Sequence, residues 1–246
     1  PNVRDFFLVI VGTLQSVAKL ILWRPDVVFT KGGFVCLPVG WATRLLRIPL
    51  VIHDSDAHPG LTNRLLAPIA TAVGTGAPLE YYPYPKSKTK YVGIPVGESF
   101  RPFSPKEQAA AKERIGFDPL APLTVITGGG LGAQRVNDVV MLHLHELIKH
   151  TNILLIAGTA QYDALRALTP QDNAKFQLKG FVSEGMDTIL GAADVVVARA
   201  GATTLLELAA LAKPTILVPN AKLTGGHQLK NAQVYADKQA VLILDE

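Results

Sequence analysis

One alternation constrains this chain more than any other feature. Short β-branched or apolar runs, "DVVFT", "PLVIH", "PLTVIT", "NILLIA", "ADVVVA" and "PTILVP", alternate with segments whose apolar residues recur at helical spacing. A short run that is apolar throughout reads as a strand buried on both faces, and helices between such strands are the crossovers a parallel sheet requires. The expected class is α/β, with helices on both faces of parallel sheets. With 246 residues, 48% of them hydrophobic, the chain can bury a substantial core, which excludes a disordered protein.

Between residues 76 and 105 the composition changes to proline, tyrosine and lysine, "GAPLEYYPYPKSKTK" and then "GIPVGESFRPFSP", before helical spacing resumes in "KEQAAAKERIG". This divides the chain into residues 1–97 and 98–246, two doubly wound Rossmann-like units whose ligands belong outside the carboxyl ends of the strands. The start at Pro1 and the terminal apolar "AVLILDE" read as a piece of a longer protein, with the first unit incomplete and the last helices of the second missing. "FFLVIVG" lacks the basic leader and cleavage site of a secretory signal, and Thr13, Gln15 and Ser16 interrupt the uncharged run over residues 6–18. What remains is an amphipathic helix with Phe6, Phe7, Ile10, Leu14, Val17 and Ile21 on one face. Packing on a sheet is the preferred reading of that face, and contact with a membrane surface is the alternative. Lysine and arginine exceed acidic residues by 24 to 20, which fits a phosphorylated ligand or an anionic membrane surface and is too scattered for nucleic acid. The single cysteine, Cys36, excludes an internal disulfide and suits the cytoplasm.

The strongest local site signal is "LTVITGGGLGAQRVND", residues 123–138. A strand ending at Thr127 meets bare glycines and then a helical stripe of Val136, Val139, Val140, Leu144, Leu147 and Ile148, an arrangement that admits a phosphate to backbone N–H groups. Gly128, Gly130 and Ala133 satisfy a G-x-G-x-x-A pattern, but "NILLIAGTAQ" closes the next strand on Ala157 and Gly158 with no carboxylate for a nicotinamide ribose. Further on, "RAGATTLLE" puts Arg199 and Gly201 at a strand's carboxyl edge and Thr203 and Glu207 on one helical face. Glu207 reads either as an acceptor for ribose hydroxyls or as a solvated helix residue. His227 and Gln228 open another helix after "PNAKLTGG". In "HDSDAHPG", His53, Asp54, Asp56 and His58 read either as a general base with its neighbours or as caps of the "GLTNRLLA" helix.

"TGGGLGA", "RAGATTLLELAALAKPTILVP" and "HQLKNA", in this order, together with residues 27–67, "VVFTKGGFVCLPVGWATRLLRIPLVIHDSDAHPGLTNRLLA", resemble the MurG-type N-acetylglucosaminyltransferases, GT-B enzymes of glycosyltransferase family 28. The resemblance implies that the second unit binds UDP-GlcNAc. Gly129, Gly130 and Gly132 would face diphosphate and sugar. Gly201, Ala202, Thr203, Thr204, Leu205, Leu206 and Glu207 would hold phosphate and ribose. The backbone of Phe181 and Val182 would meet uracil, and Gln228, with Arg199 and His227 nearby, the sugar. It further implies inverting transfer of GlcNAc to a lipid-linked muramoyl-pentapeptide at the inner face of the cell membrane, with no metal and no cofactor. The chain departs from the family's pattern in four places. It lacks a "GGTGGH" loop, reads His53, Asp54, Ser55 and Asp56 for His-Glu-Gln-Asn, has Gly97 where an arginine is usual, and has Gly130 for a serine. Asp56 then stands at the family's sugar-contacting asparagine, His53 and Asp56 are the base candidates that remain in this chain with the main base expected outside it, and the polypeptide alone is expected to be inactive. Two alternatives stay open: another UDP-sugar enzyme of this fold, such as a lipid glycosyltransferase or a 2-epimerase, and a non-catalytic UDP-sugar-binding protein.

Overall fold

The computed structural model describes residues 3–129, 132–169, 173–220 and 226–245. The chain divides into two compact units, Pro1–Ile94 and Pro95–Glu246. In the first, α1 (Val3–Trp23), β1 (Val28–Thr30), α2 (Cys36–Leu46), β2 (Leu50–Asp54), α3 (Leu61–Leu66), β3 (Ala72–Thr75) and β4 (Thr89–Tyr91) follow one another. The strands form a parallel sheet in the order β1-β2-β3-β4, with Val28 opposite Leu50, Val51 opposite Ala72 and Val73 opposite Thr89. Leu50, Ile52, Leu66 and Val73 are fully buried. A side chain at Gly40 of α2 would come within 2.5 Å of Leu66, so glycine lets α2 and α3 close on each other.

Helix α1 turns a different face inward from the one its large residues suggest. Phe7, Ile10, Leu14 and Ile21 are exposed, and Phe6 lies outside the described side chains. The inward stripe is Val9, Gly12, Thr13, Ser16, Val17 and Leu20, and α1 packs on α2, where a Cβ added at Gly12 would stand 3.3 Å from Pro38. The reason is size. Small residues admit the neighbouring helix, and the hydroxyls of Thr13 and Ser16 donate to the α1 carbonyls of Val9 and Gly12 at 2.8 and 2.7 Å, so they can be covered with their donors satisfied. Among the described residues no helix is long and apolar enough to cross a membrane.

The second unit runs α4 (Pro105–Arg114), β5 (Leu123–Thr127), α5 (Gln134–Leu142), α6 (Leu144–Leu147), β6 (Asn152–Ile156), α7 (Thr159–Leu168), β7 (Phe176–Lys179), α8 (Met186–Ala192), β8 (Val195–Ala198), α9 (Ala202–Ala210), β9 (Thr215–Leu217), α10 (His227–Ala236) and β10 (Leu242–Ile243). Its sheet is parallel in the order β10-β9-β8-β5-β6-β7. Alternate residues of β5 serve opposite faces. Val125 joins a core with Leu154, Val196, Leu190 and Leu208, and Ile126 joins one with Ile153, Val140, Leu144 and Leu165. Beyond that second core, Val195, Val197 and Ile216 stay half-buried beside an apolar cavity of about 730 Å³. The single helical stripe expected over residues 136–148 breaks at His143, and Val139 faces solvent. At the amino ends of β5 and β8, Asp194 Oδ2 accepts from the buried Lys112 Nζ and from the Leu123 N–H, both at 2.7 Å, while its Oδ1 accepts from Gln108 at 3.0 Å.

Candidate functional site

In the second unit β5 lies between β6 and β8, so successive crossovers leave it in opposite directions and a crevice opens at its carboxyl end. After Thr127 the chain turns tightly. A side chain at Gly128 would sit 2.4 Å from the Ala133 nitrogen, and Gly129 and Gly132 adopt left-handed φ values of 72° and 74°. The Gly132 N–H closes the turn on the Gly129 carbonyl at 3.0 Å, and the Gly129 N–H donates to Thr127 Oγ1 at 3.2 Å. Gly130 lies outside the described residues. Helices α5, α7, α9 and α10 have Ala133, Gly158, Gly201 and Gly226 as N-cap residues and no side-chain cap. Helix α4, by contrast, carries a full capping box from Ser104 and Glu107. First-turn N–H groups left without a cap, backed by the helix dipole, are what a phosphate binds.

The segment "AGATTLLE" begins α9 at Ala202 with Thr203 exposed and Ala202, Thr204, Leu206 and Glu207 half-buried. Burial raises the Glu207 carboxyl above the usual range. Leu205 points elsewhere: its side chain packs with Leu217 and Ala232, and its N–H is spent on the Gly201 carbonyl at 3.0 Å, so it supports the helix instead of lining the crevice. Gly201 has an ordinary φ of −70°, and the nearest atom to an added Cβ is Thr204 Oγ1 at 3.8 Å. The turn itself therefore does not require glycine; what glycine leaves is open space above the start of α9. Arg199 is buried and donates through Nη1 to the Val218 carbonyl at 2.8 Å, tying β8 to β9. Gln228 Oε1 accepts from the Asn220 N–H at 2.9 Å, and His227, half-buried, begins α10.

Two buried amides escaped the sequence reading. Asn137 Nδ2 donates to the Ala157 carbonyl at 2.9 Å and to Gln161 Oε1 at 2.7 Å, holding α5 to the end of β6, while its Oδ1 has no hydrogen-bond partner. Asn231 Nδ2 donates to the Ala200 carbonyl at 3.2 Å and anchors α10 beneath the start of α9. Their only signal is an amide on the inward side of a helix, visible once the helix phase is fixed. A cleft of about 710 Å³ lies between the first turns of α7 and the segment after β7, with Thr159, Tyr162, Gly180, Phe181 and Val182 on its walls.

In the first unit His53 is only 4% exposed; its Nε2 lies 2.8 Å from the Gly93 carbonyl and its Nδ1 3.2 Å from Ser55 Oγ. A carbonyl only accepts, so Nε2 carries the proton and Nδ1 takes the serine hydroxyl; both ring nitrogens are engaged. Asp54, also buried, accepts at Oδ2 from the Tyr84 hydroxyl at 2.6 Å and from the Gly60 N–H at 3.3 Å. Burial raises its pKa, with the hydrogen bonds from Tyr84 and Asn63 pulling the other way. Burial likewise lifts the Tyr82 and Tyr84 hydroxyls far above the ordinary phenol range. Tyr82 donates to the Asp56 carbonyl at 2.8 Å and accepts from the Ala77 N–H at 3.1 Å, so the two tyrosines brace the loop that follows β2. Asp56 and His58 are half-buried on that loop. Helix α3 has Gly60 as its N-cap without a side-chain cap, and Asp54 Oδ2 accepts from that residue's N–H. Among the described residues no three His, Cys, Asp or Glu side chains are grouped to hold a metal ion.

Residues 123–246 match the glycosyltransferase family 28 C-terminal domain, and residues 1–75 match the family's N-terminal domain. The chain belongs to glycosyltransferase family 28. Within family 28 it is similar to the UDP-N-acetylglucosamine–N-acetylmuramyl-(pentapeptide) pyrophosphoryl-undecaprenol N-acetylglucosamine transferase of Clostridium kluyveri, 35% identical over all of this chain and 68% of that protein. The enzyme of the same name from Halalkalibacterium halodurans is 33% identical over all of this chain and 67% of its own length. The chain thus spans about two thirds of these relatives. The crystal structure of Acinetobacter baumannii MurG superposes with a TM-score of 0.74 at 27% identity, covering 97% of this chain and 65% of that one. Each of the two units is a Rossmann-like parallel α/β unit, as the GT-B class requires. A UDP-GlcNAc 2-epimerase from Neisseria meningitidis, solved with UDP-GlcNAc, superposes with a TM-score of 0.62 at 11% identity over 96% of this chain and 74% of that one, a likeness of fold alone. The family 28 matches favour a hexosyltransferase over the epimerase and the non-catalytic alternatives.

Proposed function

We propose that this chain forms part of an inverting N-acetylglucosaminyltransferase that moves GlcNAc from UDP-GlcNAc to the undecaprenyl-diphosphate-linked muramoyl-pentapeptide, the step from lipid I to lipid II in peptidoglycan synthesis. The observation that carries this reading is the second unit's set of helix starts without side-chain caps, at α5 and α9, with the half-buried carboxylate of Glu207 on α9, in a chain 35% identical to such a transferase. Departure of UDP requires stabilisation of a developing diphosphate, and N–H groups fixed before the reaction supply it without reorganisation. In this reading the turn at Gly128–Gly132 and the first turn of α9 receive the diphosphate, Glu207 accepts from the ribose hydroxyls, the backbone of Phe181 and Val182 meets uracil, and Gln228 reaches the sugar. Inversion requires a base for the acceptor hydroxyl. Within this chain the base candidates are His53, whose two ring nitrogens meet the Gly93 carbonyl and the Ser55 hydroxyl, and Asp56, half-buried on the loop after β2. The exposed Phe7, Leu14, Leu22 and Trp23 of α1 give the first unit an apolar surface suited to peripheral contact with the inner face of the cell membrane.

The test is thermal unfolding with and without UDP-GlcNAc. The nucleotide sugar should raise the transition temperature, and Glu207→Ala should abolish the effect; absence of any UDP-dependent shift in the parent chain sinks the proposal. Release of free ManNAc without an acceptor would point instead to the epimerase.

A further inference from the structure

The cleft after β7 has a wall whose construction the donor reading does not use. Tyr162, on the second turn of α7, lies directly against Gly180: a Cβ added there would stand 3.0 Å from Tyr162 Cγ and 3.1 Å from its Cβ. At the other end of the ring Arg166, one helical turn on, donates from Nη1 to the Tyr162 hydroxyl at 2.7 Å, with its guanidinium carbon 5.8 Å from the ring centre. The ring is thus fixed at both ends, at its root by bare backbone and at its tip by a charged donor. Val182 and Ile189 add apolar surface to the same cleft, and Thr159 adds a hydroxyl at the uncapped start of α7. A planar aromatic wall beside the backbone of residues 180–182, in a cleft of about 710 Å³, suits a flat heteroaromatic ring better than a sugar or a phosphate.

We propose that Tyr162 is the base-binding wall of the donor site and that Arg166 is a positioning residue that holds it there. This rests on the donor reading above. Stacking on an aromatic side chain supplies affinity for the base, while the phosphates are held elsewhere. Loss of the ring should therefore weaken the nucleoside part of the ligand and leave pyrophosphate binding alone. Gly180 has a stated reason as well, since any side chain there pushes the tyrosine into the space the base occupies.

The experiment measures binding of UDP, uridine and inorganic pyrophosphate to the intact 246-residue chain by calorimetry. Tyr162→Leu, which keeps apolar packing on Gly180, should weaken UDP and uridine by about tenfold and leave pyrophosphate unchanged. Arg166→Met, on an exposed side chain, should weaken the same two ligands by a few fold with no loss of thermal stability, which keeps the test decisive even if Tyr162→Leu folds poorly. Equal UDP binding by the parent and both variants, or an equal loss for UDP and pyrophosphate, overturns the role of Tyr162 while leaving the donor reading intact. Absence of UDP binding by the parent overturns both.

Discussion

The Tyr84 hydroxyl donates to Asp54 Oδ2 at 2.6 Å, and both side chains are buried. This bond joins the segment after β3 to the end of β2, and it is shorter than the one Asp54 accepts from the Gly60 N–H at 3.3 Å. Tyr84→Phe should cost about 1.5–3 kcal/mol, the range for a hydrogen bond to a charged group. The pH dependence follows from the direction of the shift. Asp54 titrates above its unfolded value, so protonation favours the folded state below that unfolded value, and that stability is lost as pH rises through the raised folded pKa. Above that point the ionised carboxylate leans on Tyr84. The penalty of the variant should be larger at about pH 8 than at about pH 4, measured by urea unfolding; equal penalties refute the coupling.

Glu207 offers a test in which stability and function separate. Burial raises its pKa, so at neutral pH its charge is a cost to the free protein, a cost absent at pH below the unfolded value. Glu207→Gln should raise the transition temperature of the free chain slightly while weakening UDP by about tenfold, as expected when a charged acceptor of a ribose hydroxyl is lost. Measured against 2′-deoxy-UDP, the same variant should lose much less. A loss of the same size for both ligands removes Glu207 from the ribose.

The elements that sequence patterning made legible are those whose sequence repeats one message. The apolar runs that became β2, β5, β6 and β8, and the start of α9 at Ala202, follow from periodicity and glycine placement. Strands β3, β4 and β7 did not, for β3 is four residues around a glycine and "TKY" and "FQLK" carry charge or an amide; their identity comes from parallel neighbours, as when Val73 pairs with Thr89 and Ile153 with Phe176. Helix α1 departs from its hydrophobic pattern because size and not hydrophobicity decides its inward face, where close approach to Pro38 selects glycine at position 12. The turn glycines and Glu207 were legible because a phosphate or ribose site needs those residue types. Asn137, Asn231, Tyr84 and Tyr162 were not, because each acts through a partner distant in sequence: Ala157, Ala200, Asp54 and Gly180.

The ion pair at the opposite end of the second sheet should be structural and costly to break. Lys112 is buried, and besides Asp194 its ammonium meets only the Ala121 carbonyl, at 2.8 Å, among the partners given by the described residues. Asp194→Ala strands that charge and also frees the Leu123 N–H, and should cost about 3 kcal/mol. Adding Lys112→Met removes the stranded charge, so the double variant should be more stable than Asp194→Ala. Chemical denaturation of the four-member cycle reads the coupling, about 1–3 kcal/mol if the pair acts as a unit. Additive losses would show that the hydrogen bonds to the backbone, and not the charges, matter.

Gly128 and Gly201 flank the crevice, and the same substitution should separate their roles. At Gly128 an added Cβ meets backbone at 2.4 Å, so Gly128→Ala cannot be absorbed by a side-chain shift and should cost about 3 kcal/mol, with loss of the turn and of nucleotide binding together. At Gly201 the free protein has room and an ordinary φ, so Gly201→Ala should change stability by less than about 0.5 kcal/mol. If a phosphate approaches the uncapped first turn of α9, the new methyl group occupies its path, and UDP should bind about tenfold more weakly. Thermal unfolding and calorimetry on the two variants decide the matter. A Gly201→Ala chain that binds UDP as tightly as its parent would place the phosphate away from α9 and leave the glycine turn after β5 as its main contact.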